Sequence, residues 1–331
     1  MVRPFSPQRP VTSSKGLVVA SRIQDAWKGV GAAPGAGGIP GEPEVVDHLY
    51  IYDTSDNVRK TTLDGSVEWT YSIPESGTFR NTLRLAPTGD VFYLVEQGVG
   101  QLDNDSNKVR FHSTNHTRRD TLVANDTHAF VHSGSPHQFH KFSIATGDSE
   151  TAPTNEVVWG ACWYNADKTI IAGFEDDSGV NILMLDVEEM TVSTLVSNVI
   201  SSTRIQAAVS DGQNLYFGGW NNAVVKVDSS GSIQWTTGMG ARVLSVFLYE
   251  HVVYAYAENG NFRLMDKDTG DIIFSGSLDD RHGGADVFAH SPNEGTVYAS
   301  DRGNIREVDL EGNIVDSISL IFSSNCLNSG V

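Results

Sequence analysis

The sequence predicts an all-β chain, a single seven-bladed β-propeller of four-stranded antiparallel blades behind an extended N-terminal arm. A turn signature returns along the 331 residues at an average interval of about 41, the length of a four-stranded blade. Short alternating runs of β-branched and aromatic residues precede each return, as half-buried strands require. Hydrophobic residues make up 39% of the chain, enough for a core, and one propeller domain can account for the whole length.

The signature is clearest where Gly65-Ser66-Val67-Glu68-Trp69 recurs as Gly231-Ser232-Ile233-Gln234-Trp235. It returns more loosely from Gly270 to Phe274 and from Gly312 to Asp316, with weaker equivalents starting at Asn107, Gly147 and near Met190. Second strands are expected at Asn214 to Gly218, Val252 to Tyr256 and Thr296 to Ser300. Third strands are expected to close on an apolar residue and Asp, as in Leu63-Asp64, Leu102-Asp103, Leu185-Asp186, Val227-Asp228, Met265-Asp266 and Val308-Asp309. The Asp can accept turn N–H groups, and Gly can take a positive φ. The following Ile or Val and the Trp or Phe two residues later would share one face of the outer strand and fill the gap between blades.

These residues resemble the propellers built from pyrroloquinoline-quinone-type repeats, whose blades share an Asp, a turn Gly, an Ile or Val and a Trp. The resemblance implies the fold over residues 45–325 and is strongest in the blades holding Trp69 and Trp235. It does not extend to the adjacent Cys pair of the quinone dehydrogenases, since Cys162 and Cys326 are far apart. A tryptophan-aspartate propeller is less similar, because no Trp-Asp pair closes a blade.

Two units are expected, an arm over residues 1–44 and the propeller over 45–331. Blade one opens on a second strand, His48 to Tyr52, and the Pro-rich residues before it cannot be a central strand. Its inner strand should therefore come from elsewhere. Residues 324–330 are the expected donor, which would leave no open edge, and residues 16–21 are the alternative. The arm carries Pro4, Pro7, Pro10, Pro34, Pro40 and Pro43 with a Gly cluster, a composition too poor in apolar area to fold alone. It is expected to be held by the propeller or by another subunit.

Lys+Arg number 23 against 41 Asp+Glu, a net charge of −18. Such a surface disfavours nucleic acid and anionic lipid, and no apolar run reaches the roughly 18 residues of a membrane helix. Asp outnumbers Glu and Arg outnumbers Lys, a balance that resembles proteins of salt-loving organisms. No apolar signal region occupies the N-terminus. The two cysteines, Cys162 and Cys326, do not make a disulfide framework.

Six of the ten His fall at 112, 116, 128, 132, 137 and 140. His128 and His132 would share a strand face, making them weak metal candidates, although a pH-sensitive patch fits them better. Asp103, Asp105 and Asn107 have alternate oxygens like a calcium loop but lack its central Gly and distal Glu, so a hairpin turn is the plainer reading. Glu175, Asp176 and Asp177 read likewise, as do Asp266, Asp268 and Asp271, with loose cation binding as the remainder. Asn104, Asn115 and Asn125 begin glycosylation sequons. No cofactor is expected. No nucleophile elbow, phosphate loop or zinc-hydrolase motif is present, which leads away from an enzyme.

The expected function is a non-enzymatic structural or recognition module: a virion protein of a halophilic virus, tail or capsid-surface, anchored to other subunits through residues 1–44 and meeting a host surface. The alternatives are a quinone-dependent or sugar-active propeller enzyme using the central funnel, and a cellular assembly scaffold; the expected location is the virion, with the cytoplasm as the alternative.

Overall fold

Each blade of the computed structural model is a meander of four antiparallel strands, and seven such sheets are formed. The structure describes residues 48–53, 55–75, 79–86, 88–114, 117, 121–134, 136–154, 157–165, 168–175, 179–200, 204–278, 287–291, 293, 295–301, 303–320 and 324–329. The arm, 1–44, lies outside them. Blade 1 holds His48–Asp53, Asn57–Thr62 and Val67–Ser72. Blade 2 holds Phe79–Leu85, Val91–Val95, Gly98–Leu102 and Lys108–Ser113. Blade 3 holds Val123–Ala124, His128–Gly134, His137–Ser143 and Ser149–Pro153. Blade 4 holds Val157–Asn165, Lys168–Glu175, Gly179–Asp186 and Thr191–Ile200. Blade 5 holds Ile205–Ser210, Asn214–Gly219, Ala223–Asp228 and Ile233–Gly238. Blade 6 holds Val243–Tyr249, Val252–Ala257, Asn261–Asp266 and Ile272–Ser277. Blade 7 holds Phe288–His290, Thr296–Asp301, Asn304–Asp309 and Ile314–Ser319.

The inner strand of blade 1 is the C-terminal segment Ser324–Ser329. It runs antiparallel to His48–Asp53, with Leu49 opposite Ser329 and Tyr52 opposite Cys326. It also touches the inner strands of blades 2 and 7. Since every other inner strand touches the next, the seven inner strands form an unbroken ring.

The core is likewise divided by blade interface. Tyr50, Tyr52 and Val58 of blade 1 pack with Leu83, Val91 and Tyr93 of blade 2. Leu49 and Ile51, on the other face of the same strand, pack with Ala289, Tyr298 and Ile305 of blade 7. The second strands supply most of this, being buried on both faces, and each fully buried large side chain stabilises the fold by about 1.5–3 kcal/mol.

The turns joining third to outer strands carry the repeat. Asp228 Oδ1 accepts the N–H groups of Ser230 and Ser232, both at 2.9 Å. Asp309 does the same for Glu311 and Asn313, at 3.0 and 2.7 Å. In blade 1 the equivalent position is Thr62 rather than Asp64: Thr62 exchanges backbone bonds with Gly65 and Ser66 as Asp228 does with Gly231 and Ser232. The third strand thus ends before Leu63-Asp64, which belongs to the turn. Blade 2 is also displaced by one from the sequence expectation, for Ser106 takes the positive φ, 68°, not Asn107.

A bulge opens the outer strand in blades 1, 2, 5, 6 and 7. Trp235 faces Lys226 while Ile233 faces Val227, so two residues oppose one. The same shift recurs at Lys60/Thr61, Gln101/Leu102, Leu264/Met265 and Glu307/Val308. The bulge breaks the two-residue alternation, and this corrects the expectation that the turn Ile fills the gap between blades. Trp235 is 9% exposed, but Ile233, Ile272 and Ile314 are 46%, 47% and 52% exposed.

The buried aromatic instead locks onto the next blade's turn. Trp235 Nε1 donates to Lys267 O at 3.1 Å, and Trp69 Nε1 donates to Asn104 O at 2.9 Å. In blade 2 the bulge register places Arg110, not Phe111, at the Trp position. Its guanidinium donates to Ala145 O at 3.0 Å in the turn of blade 3. Three turn glycines lie beneath the preceding blade's side chain at the Trp position, Gly147 beneath Arg110, Gly270 beneath Trp235 and Gly312 beneath Phe274, whereas Gly65 lies beneath Ile318 and Gly231 beneath Val196.

Candidate functional site

The antiparallel meander sorts the loops onto two faces. One face carries the links between first and second strands and the Asp-bearing turns. The other carries the links between blades and the turns joining second to third strands. On this second face, in blades 4 to 6, side chains far apart in sequence converge.

Trp159 stands on the inner strand of blade 4. Arg204 directly precedes the inner strand of blade 5, and Trp220 directly follows that blade's second strand. Their backbones are joined, Trp220 N–H donating to Arg204 O at 3.0 Å. Gly219 permits this approach, because a Cβ there would stand 2.1 Å from Arg204 O. Arg242 and Glu258 occupy the equivalent places one blade on, with Glu258 N–H donating to Arg242 O at 2.8 Å.

The side chains form a ladder. The Arg204 guanidinium lies 4.7 Å from the Trp159 ring centre and 4.8 Å from that of Trp220. Arg242 lies 5.1 Å from the Trp220 ring and donates to Glu258 Oε1 at 2.7 Å. Cation–π attraction holds such stacks, roughly 0.5–1 kcal/mol per contact at exposed sites. Trp220 is nevertheless 45% exposed. A large, rigid indole flanked by two arginines and open to solvent combines residue types that dominate binding energy at protein interfaces. What the ladder offers is stacking from the two indoles and ion pairing from the two guanidiniums, one of them held by the Glu258 carboxylate.

The residues singled out from sequence are placed elsewhere. Asp103 Oδ1 accepts N–H bonds from Asp105 at 3.0 Å and Asn107 at 2.8 Å, and Asn107 Nδ2 donates to its other oxygen at 2.9 Å. Those bonds, the Asn107 side chain first, hold the Asp103 carboxyl below its usual range. The Asp103 carboxylate thus serves as the acceptor of the hairpin turn. Asp266 is held down in the same way by Thr269 and Asp268 N–H groups. Asp176 and Asp177 lie outside the described residues. His128 and His132 sit four residues apart on one strand, about 13 Å at the usual rise, too far to share an ion. His132 is fully buried with its Nε2 3.0 Å from the Thr154 hydroxyl, and its ring lies parallel to His137 at 6.1 Å. Among the described residues no three His, Cys, Asp or Glu gather as a metal set. Of the sequon residues, Asn104 Oδ1 accepts bonds from Tyr50 Oη and Lys60 Nζ between blades, Asn125 Oδ1 caps Thr127 and His128 N–H groups, and Asn115 lies outside the described residues. Cys162 is buried, which pushes its thiol up to about 12 and leaves no reactive thiolate. Cys326 falls within the closing strand.

The histidines do give the fold a pH dependence. Burial, with Arg110 as a lesser cause, pushes His112 down to about 4 from an ordinary 6.5, where its ring stacks on Phe142 at 4.3 Å. Burial lowers His140 and His128 too. The unfolded chain takes up these protons near 6.5 and the folded chain does not, so their contribution is complete above pH 6.5 and declines toward pH 4. Urea midpoints measured across that window should fall with acid, and His112→Phe should flatten the decline by about one proton, about 1.4 kcal/mol per pH unit. An unchanged slope in the variant would show that His112 titrates normally.

Residues 151–325, just over half of the chain, match the family model described as outer membrane protein assembly factor BamB. No curated protein matches in sequence. Among solved structures, a functionally unknown protein from Desulfotomaculum acetoxidans DSM 771 is similar at TM-score 0.67 and 13% identity, over 85% of this chain and 98% of that one. Apo AztD from Citrobacter koseri follows at TM-score 0.63 and 12% identity, over 87% and 98%. The computationally designed Ika8 protein gives 0.58 and 14%, over 85% and 90%. At these identities the likeness is one of fold.

Proposed function

The chain belongs to the PQQ-like repeat family described as outer membrane protein assembly factor BamB, and on that premise we propose that it is a non-enzymatic recognition propeller. The partner is an extended protein segment that docks on the blade 4 to 6 face. The observation that carries this reading is Trp220, held between Arg204 and Arg242 yet 45% exposed. Trp and Arg dominate binding energy at protein interfaces, and the stack pre-orders both at little entropic cost. A family description that names an assembly factor rather than a catalyst supports the same reading.

Peptide display on the immobilised full-length chain tests it. Selected sequences should bind at least ten-fold more weakly to Trp220→Ser, a loss of about 1.4 kcal/mol. Equal binding to both proteins would refute the face as the contact site. The narrower placement, a tail or capsid-surface protein of a halophilic virus, rests on the net charge of −18 and on the arm, and co-sedimentation with particles is its test.

A further inference from the structure

Seven large apolar side chains are exposed among the described residues, and six of them lie on outer strands. Five of those six belong to three consecutive blades: Ile233 in blade 5, Ile272 and Ile273 in blade 6, Ile314 and Val315 in blade 7. Outer strands are sheet edges, each with one row of backbone N–H and C=O groups facing outward. Edges are normally guarded by Lys, Arg or Pro. Blade 2 follows that practice with Lys108 and Arg110, whereas the outer strands of blades 5, 6 and 7 hold no basic residue and one acid, Asp316. The turns beside them add Asp228, Asp266, Asp268, Asp271, Asp309 and Glu311. An apolar, acid-rimmed, unguarded edge fits a basic strand.

The chain contains one. Residues 1–41 carry Arg3, Arg9, Lys15, Arg22 and Lys28 against the single acid Asp25, in a protein otherwise strongly acidic. Within them residues 17–23 alternate as a strand, Leu17, Val19 and Ile23 on one side, Val18, Ala20 and Arg22 on the other. The inner place in blade 1 that residues 16–21 could have filled is taken by Ser324–Ser329, so this strand former is unassigned. The arm leaves the ring at His48, whose strand packs through Leu49 and Ile51 against blade 7. Residues 24–47 can span about 80 Å when extended, ample to reach the rim of that blade.

We propose that residues 17–23 pair with the outer edge of blade 7, Ile314–Ser319, of the same molecule, Arg22 meeting Asp316 and the aliphatic face covering Ile314 and Val315. Ile314 and Val315, at 52% and 54%, are the most exposed of the set, and blade 7 is the nearest of the three. Added strands of this kind draw affinity from main-chain bonds and register from alternate side chains.

Hydrogen exchange on the full-length chain tests this. Leu17→Asp/Val19→Asp should raise exchange in residues 314–319 about ten-fold, while Leu17→Ile/Val19→Ile leaves it as in the wild type. The seven four-stranded sheets are complete without residues 17 and 19, so the melting transition of the propeller serves as the control for folding. Unchanged exchange at 314–319 would overturn the proposal, as would a change confined to other blades. Protection that rises with protein concentration would overturn the same-molecule assignment in favour of a second copy.

Discussion

A chain ending at Leu320 should melt about 10–20 °C below the full-length protein, or fail to fold. The missing strand, Ser324–Ser329, pairs with Leu49, Tyr50, Ile51, Tyr52 and Asp53 and is the link between the inner strands of blades 2 and 7. Five paired positions at about 0.5–1.5 kcal/mol of net hydrogen bonding each would already exceed the effect of a typical point substitution. Water would also gain access to Leu49 and Ile51, which are fully buried in the blade 1/blade 7 interface. A loss of about 5 kcal/mol shifts the midpoint of a chain this size by about 2–4 °C per kcal/mol. His48–Asp53 would become a new sheet edge, so the truncated protein should also aggregate in proportion to its concentration. A calorimetric midpoint equal to that of the full-length chain would mean that the ring is held by blade packing alone.

What sequence could reveal follows from how local each feature is. Gly65, Gly147, Gly231, Gly270 and Gly312 all carry positive φ, between 75° and 88°, and their spacing is the repeat. A turn is decided by neighbours in sequence, so it shows there. Ser106 and Met190 fill the same conformation without being Gly, at 68° and 49°, which blurs the signature in blades 2 and 4. The bulge at the start of the outer strand is set by pairing with the third strand, not by its own residues, and so the exposure of Ile233, Ile272 and Ile314 could not be read ahead. The Trp–Arg ladder was harder still, since Trp159, Arg204, Trp220 and Arg242 meet only when three blades are packed. One signal did exist. Arg204 and Trp220 stand one repeat before Arg242 and Glu258, so aligning the blades on their turns places all four on the same face.

Gly270→Ala should cost about 3 kcal/mol and lower the melting midpoint by about 6–12 °C, because two separate penalties fall on one methyl. The backbone there has φ +75°, which an L-residue other than Gly occupies at roughly 1–2 kcal/mol. The added Cβ would also stand 2.6 Å from Trp235 Cδ2 and 2.8 Å from Cγ. The indole has little room to retreat: it is 9% exposed, packs beside Tyr216 with ring centres 6.0 Å apart, and is tied to the same turn by its bond to Lys267 O. Forcing a methyl into so close a contact adds about 1–3 kcal/mol. Gly89→Ala separates the two terms, for Gly89 has φ +88° but nothing within 4 Å of the place its new methyl would take. That variant should lose only the conformational part, about 1 kcal/mol. In a Trp235→Ala background Gly270→Ala should likewise fall to the conformational cost, giving a coupling of at least about 1 kcal/mol in the double-mutant cycle. If the two substitutions simply add, the indole does not rest on Gly270, and the lock between successive blades must lie in the hydrogen bond from Trp235 to Lys267 alone.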